Sequence, residues 1–320
     1  PAIAHFCCFA FTLLLMSFDP ALGEYHLINS FPDGLSREMV TVELHPKHDR
    51  LEIENEYIEE EWARRKALNT FLFNGSKFRL SSLRFDESSK ILHIGMGMTD
   101  YKTLIGTNLS PRWKYFLQAG DPQSTSPPTE RAPDPDGFLP GRALASALGN
   151  AAVVETSDHH LLLLRRSSNV GECPHTVVMP GGHPEPHRVG LDSVQAWRES
   201  FPRTGPPPPQ AVVDELFQSM VDEVVEETGV RPDELGEPRL LGVVYRTVGH
   251  REVMAFHVPC RIDAVTAVER YRSGHVADRS ESTGLFTLPI ADFLKQGLDD
   301  RSLPVPGCHR GALDLFRRHL

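Results

Sequence analysis

Between Val221 and Val230 the chain reads VDEVVEETGV. Asp222, Glu223, Glu226 and Glu227 crowd four carboxylates together, with valines between them. On a helix, like charges at i,i+4 cost about 0.2–0.5 kcal/mol per pair, and burial raises the cost. At about 100° per residue, Glu223, Glu226 and Glu227 share one face within roughly a quarter turn. Val213, Phe217, Met220 and Val224 gather beside them, Glu215 falls one edge over, and Asp214 points away. The plain reading is a solvated helix face. A solvated face, however, sets its acids opposite the apolar stripe, and these border it. A multivalent cation among the carboxylates turns repulsion into attraction. Oxygen-only ligands suit Mg²⁺ or Mn²⁺ rather than zinc, and the regularly spaced loop ligands of a calcium hand are missing.

Punctuation and periodicity give the elements that must position this cluster. QAVVDELFQSMVDEVVEETG (210–229) is a strong helix, closed by Gly229 with Pro232 beyond it. TVVMPGGHPEP (176–186) is a short strand running into a Gly-Gly turn, and AAVVETSDHHLLLLRR (151–166) is a hairpin of two apolar runs. PRLLGVVYRT, EVMAFHVPC and GLFTLP read as strands; TAVERYRSG, IADFLKQG and GALDLFRRHL read as helices. Nearer the start, EYIEEEWARRKALN (56–69) is a helix with acids first and bases last, as its macrodipole favours. KFRLSSLRF (77–85) and ILHIGMGM (91–98) are strands, and TDYKTLIGTN (99–108) opens with a Thr-Asp cap. PRTGPPPPQ (202–210) is too rich in proline to be helical.

The organisation expected from these elements is an α/β sandwich. An α+β N-terminal domain spans 16–120, a Pro-rich linker or loop 121–144, and a larger domain 145–320 with a Pro-rich insertion at about 187–209. Ala4 to Phe18 is an apolar run too short to span a membrane, with no Lys or Arg ahead of it. Residues 1–15 are therefore expected to be sequence from upstream of a start at Met16, with a secretory signal as the other reading.

The 33 Lys+Arg against 43 Asp+Glu leave a formal charge of −10, with no basic excess to neutralise a nucleic-acid backbone. An acidic protein that handles an anion needs a metal ion or a few placed Arg and Lys as the bridge. Cys7, Cys8, Cys173, Cys260 and Cys308 are scattered without zinc-ligand spacing. They read as reduced thiols of an intracellular protein, cytoplasmic or nuclear, with no membrane partner.

PGGHPEP followed by a helix containing DEVVEETGV resembles the Nudix box, G-x5-E-x7-R-E-U-x-E-E-x-G-U with U aliphatic. Glu223 to Val230 fill every position of its tail. The front departs: Gly182 and Asp222 stand 40 positions apart where the pattern has 14, so about 26 residues are inserted, expected as a surface loop. Counting from Gly182 puts Arg188 where a Glu belongs, and Asp222 takes the place of the Arg that braces it. KFRL (77–80), TDYKTLIGTN, LLRRS (163–167), PGGHPEP and ESTGLF (281–286) together resemble the animal UDP-glucose/UDP-galactose pyrophosphatase branch of the family. The resemblance implies a Nudix α/β/α sandwich with the smaller N-terminal domain packed on it. It also implies Mg²⁺-dependent cleavage, with Mn²⁺ as the alternative ion, of UDP-glucose or UDP-galactose to UMP and hexose 1-phosphate.

The resemblance and the helix spacing make Glu223 and Glu227 first choices as metal ligands, with Glu226 completing the shell directly or through water. The Gly181 carbonyl is a further ligand, since a Gly-Gly turn lets backbone approach closely. The general base is Glu226 or Glu281. Substrate binding is implied for Phe73, Tyr101, Arg166, Gly171, Val178 and His183. Phe73 and Tyr101 offer flat faces to uracil, Arg166 a fork for phosphate oxygens, and His183 a hydrogen bond. Val178 stands where relatives carry an Asp, so only its backbone can serve. On residue type alone, Phe73 reads as core and Arg166 as a snorkelling surface residue. The N-terminal region is expected to close over the cleft, with Tyr101 setting specificity. Two other readings keep the fold: hydrolysis of ADP-ribose, coenzyme A or a dinucleotide, or an inert module that binds a nucleotide or protein partner.

Overall fold

The computed structural model describes residues 23–119, 134, 136–168, 172–274, 276, 281–296 and 304–320. Segment 1–15, Gly171 and most of the stretch 121–144 lie outside the described residues. In chain order the elements are β1 (Tyr25–Leu35), β2 (Val40–Leu44), α1 (Asn55–Leu68), β3 (Ser76–Asp86), β4 (Ile91–Asp100), α2 (Tyr101–Gly106) and α3 (Trp113–Ala119). Next come β5 (Gly149–Glu155), β6 (His160–Arg166), β7 (Val177–Val178), α4 (Val194–Thr204) and α5 (Pro209–Thr228). The chain closes with β8 (Arg239–Arg246), β9 (Arg251–Pro259), α6 (Ala264–Ser273), β10 (Ser282–Pro289), α7 (Ile290–Gln296) and α8 (Gly307–His319). Among the described residues no helix is long and apolar enough to cross a membrane.

The LLLL run of β6 shows why the architecture is layered. Successive strand residues face opposite sides of a sheet. Leu162 and Leu164 join the core that holds Val213, Phe217, Met220 and Val224 of α5. Leu161 and Leu163 join the core that holds Ala312, Leu315 and Phe316 of α8. A strand apolar on both faces must be covered on both faces, and α5 and α8 do so. The fold is the expected α/β/α sandwich. Its large sheet runs β1-β8-β9-β5-β6-β10, with β7 on β6. Among the described residues only β5 and β9 pair in parallel there, from Gly149 opposite Val253 to Glu155 opposite Pro259.

A second sheet, β2-β4-β3, packs Val42, Phe78, Ile94 and Met96 into the same core as α5. Its tie to the rest is also polar and specific. Buried Arg79 donates to the carbonyls of His48 at 2.9 Å and Leu144 at 3.2 Å, fixing the segment that feeds β5. Buried Asn108 donates to the carbonyls of Gly249 and His250 at 3.0 and 2.9 Å and accepts from the Ser146 N–H at 3.1 Å. The KFRL and GTN blocks thus act as joints. β1 lies in the large sheet, paired with β8, so that sheet draws strands from both sides of the 121–144 stretch.

The insertion corrects one expectation. It is not a bare surface loop, and of the stretch 202–210 both ends, 202–204 and 209–210, are helical. Ser193 caps α4 by accepting from the Ala196 N–H, and Pro202 sits in the last turn. Trp197 is 1% exposed and stacks edge-on with Phe201 at 4.9 Å. Burial of that indole outweighs the single helix hydrogen bond that Pro202 removes.

Candidate active site

α5 ends at Gly229 (φ 74°), leaving its last two turns against the PGGH turn that follows β7. Two of its acids grip that turn. The Gly181 N–H donates to Glu227 Oε2 at 2.9 Å, and the His183 N–H donates to the Glu223 carboxylate. Farther along, the Glu185 N–H donates to Glu215 Oε1 at 2.7 Å, and Arg188 is ion-paired with Asp222. The segment from Gly181 to Arg188 is thus laced to one helix by acidic side chains. Its glycines are needed for the approach. A Cβ on Gly182 would lie 1.8 Å from Glu223 Oε1, and one on Gly181 would lie 2.3 Å from the Asn150 carbonyl. Asn150 on β5 is a hub that sequence reasoning missed. Its Oδ1 accepts from the Gly182 N–H at 2.7 Å, and its Nδ2 donates to Ser219 Oγ on α5 at 3.0 Å.

Burial raises both gripping carboxyls. Glu223 is pushed up to about 7, by desolvation first and then by Glu226 and Glu281. Glu227, 8% exposed, is pushed up to about 8, by desolvation and by Glu223 and Glu281, against the Gly181 N–H. Lys77 and Arg166 offset only part of the negative charge here. Among the described residues no three His, Cys, Asp or Glu side chains form a ready-made metal cage. Two carboxylates beside a backbone turn instead suit Mg²⁺, which keeps several waters and is held by one or two carboxylates plus substrate phosphate. The donor set therefore fits the expected ion.

Glu223, Gly181 and Gly182 line a cleft of about 490 Å³. Phe73, Tyr101, Arg166, Val178 and His183 line it too, so the fold brings most of the expected residues together. Gly171 lies outside the described residues. Glu226 is exposed on the helix and does not line the cleft, whereas Glu281 does. Glu227 sits beneath the turn rather than in the wall. Phe73 is 77% exposed and Phe71 92% exposed, so both are rim residues and not core. Tyr101 follows the cap Asp100 and meets Trp62 edge-on at 6.3 Å. Val178 is buried on β7 in register with Leu164.

The cationic wall was not foreseen beyond Arg166. Lys77 from β3 pairs with Glu185 at 3.0 Å. Arg246 and Arg251, from the facing ends of β8 and β9, share Glu172 at 2.5 and 3.5 Å. Arg166 donates to the Glu172 carbonyl at 3.1 Å. Glu172 is held down at about 2; burial opposes its charge, and Arg251 and Arg246 overcome that.

Two histidines complete the lining as neutral groups of fixed tautomer. Arg251 Nη2 lies 3.2 Å from His183 Nε2; arginine can only donate, so the His183 proton is on Nδ1. The Met179 N–H donates to His309 Nδ1 at 3.3 Å, so the His309 proton is on Nε2. Burial, then Arg166, holds His309 down at about 3, and burial and Arg251 hold His183 well below its usual value. Each is a hydrogen-bond donor that carries no charge. His309 is a lone residue in the first turn of α8, and only the fold brings it here.

No family model matches the chain. Nudix hydrolase 9 of Arabidopsis thaliana is 36% identical over 308 residues, covering 93% of this chain and 92% of that protein. The uridine diphosphate glucose pyrophosphatase NUDT22 of Mus musculus is 32% identical over 295 residues, covering 89% and 88%. The protein of the same name in Homo sapiens is 32% identical over 291 residues, covering 89% of each. Among solved structures, a MutT protein from Methanosarcina mazei Go1 aligns over 53% of this chain and 92% of its own, at 18% identity and a TM-score of 0.30.

Proposed function

The chain belongs to the Nudix hydrolase family, pyrophosphatases that hydrolyse phosphorus anhydrides, and from that premise we propose that it cleaves UDP-sugars, UDP-glucose and UDP-galactose. The products are UMP and a hexose 1-phosphate. The observation that carries the reading is one helix presenting two carboxylates without an ion-pair partner, Glu223 and Glu227, to a glycine turn at the wall of a cationic, aromatic-rimmed cleft. The names of the mouse and human relatives support the nucleotide-sugar.

Glu223, Glu227 and the Gly181 carbonyl would hold Mg²⁺, or Mn²⁺ in its place. Held there, the ion would supply charge to neutralise the diphosphate and would lower the pKa of a water. The chain's own residues do the rest. Arg166 forks onto phosphate oxygens, and His183, its Nε2 held by Arg251, donates a further hydrogen bond from Nδ1. His309 Nε2 donates to the anion from the α8 side. Phe73 and Tyr101 take the uracil ring between rim and wall. Glu281, in the cleft wall, accepts the proton of the attacking water, while Glu226 stands outside and tunes Glu223 by its charge. Water adds to one phosphorus as the bridging P–O bond breaks, and the bridge oxygen leaves on the other phosphate.

The test is product analysis of UDP-glucose incubated with the protein and Mg²⁺, with and without EDTA. UMP and glucose 1-phosphate should accumulate only without chelator. Intact UDP-glucose beside turnover of ADP-ribose or coenzyme A would replace the substrate and keep the chemistry.

A further inference from the structure

The two departures from the box pattern are each other's partners. Arg188, two residues past the PGGHPEP segment, is ion-paired through Nη1 with Asp222 Oδ2 on α5. Asp222 Oδ1 also accepts from Gln218 Nε2, one turn back, at 2.9 Å. The usual polarity has the carboxylate on the loop and the cation on the helix; here both are exchanged. We infer that Arg188 and Asp222 are positioning residues, a charge-reversed brace that sets the register of Glu223 and Glu227 against the glycine turn.

Asp222 immediately precedes Glu223, so fixing one side chain fixes the helix rotation that presents the other. Arg188 lies six residues past Gly182, so it anchors the far end of the segment that Glu227 and Glu223 grip at its start. The acids of α5 leave the helix without a cation of its own between Glu215 and Glu227, and the loop supplies it. Arg188 lies in the field of Glu215 and Glu226 as well as Asp222. The side chains are 40% and 29% exposed, so the pair adds little to overall stability. Its effect is geometric. Reversing one partner sets like charges facing across the joint; reversing both restores attraction in the family's usual sense.

This inference rests on the reading that Glu223 and Glu227 hold the divalent ion. Its test compares R188E, D222R and the double variant R188E/D222R, with the neutral variants R188Q and D222N as milder probes. Two quantities are measured: kcat and KM for UDP-glucose, and Mn²⁺ affinity by electron paramagnetic resonance without substrate. Each reversal should weaken Mn²⁺ binding and lower kcat about five- to tenfold, with KM and Tm near wild type. The double variant should return to within about twofold of wild type in both. Unchanged Mn²⁺ affinity in the single variants overturns the brace, as does a double variant no better than the worse single one. A Tm loss that tracks the kcat loss also overturns it, in favour of a merely structural pair. If wild type leaves UDP-glucose intact, the Mn²⁺ series alone decides, and only the substrate reading falls.

Discussion

The two ends of the cleft bury charge in opposite ways. At the glycine turn, Glu223 and Glu227 face each other and Glu281, with backbone N–H groups as direct partners and Lys77 and Arg166 only as weaker, more distant charges, and both carboxyls hold their protons to near or above neutrality. At the far end, Glu172 is shared by Arg246 and Arg251 and stays ionised down to about pH 2. Buried charge is costly unless it is paired. The far end is self-sufficient, while the glycine turn is left short of positive charge. That asymmetry separates framework from chemistry better than a catalogue of acids would.

The sharpest way to break the comparison is Glu227→Gln. It removes one charge without an ion-pair partner while keeping the shape, and kcat should fall about 10²–10³-fold with fold and KM retained. Turnover near wild type would mean that the metal sits elsewhere. Gly182→Ala follows, since its Cβ would displace the Glu223 carboxylate. A displacement of that order should cost about 100-fold in kcat/KM, measured beside an unchanged circular-dichroism spectrum. His309→Ala probes the self-sufficient end. Loss of one donor to an anion should raise KM about tenfold and leave kcat, with the same ratio from pH 5 to pH 9, because this imidazole stays neutral throughout. A ratio that changed across that range would make His309 a titrating group.

The smallest effect is also the most diagnostic. The folded pKa values of Glu223 and Glu227 lie above the unfolded value near 4.5, so between pH 4.5 and about 8 the folded chain binds more protons than the unfolded chain. Their contribution to stability therefore falls as pH rises through that window. Glu172 has the opposite sign: its contribution is present above pH 4.5 and lost as pH falls toward about 2. Metal-free Tm should thus drop as pH rises from 5 to 8, at ~2–4 °C per kcal/mol. Mg²⁺ or the double substitution E223Q/E227Q should flatten that slope and leave the acid limb alone.

Much of the glycine-turn end was legible in the sequence because its residues are close in the chain. The apolar stripe, the Gly229 stop and the PGG turn specify helix, face and approach from local rules. The far end was not, since Glu172, Arg246, Arg251 and His309 come from four separate segments and none has a local signature. Arg246 and Arg251 read as strand ends until β8 and β9 turn them toward one carboxylate. β1 escaped notice because Pro32 and Gly34 interrupt its alternation, and its pairing with β8 skips register between Ser30 and Leu35. Prolines hid α4, whose order comes from burial of Trp197. Counting had placed Arg188 and Asp222 at complementary positions, yet opposite charge at matched sites only becomes a contact once the insertion folds back.

Trp62 meets the Tyr101 ring edge-on, at the wall where the base is expected to lie. The molecule therefore carries its own optical reporter for occupancy. Arrival of a flat, absorbing ring beside Tyr101 changes the surroundings of that indole, whereas Trp197, sealed in the interior, supplies a constant emission as internal reference. Ligand titrations and stopped-flow kinetics can then proceed in a fluorimeter without any attached dye.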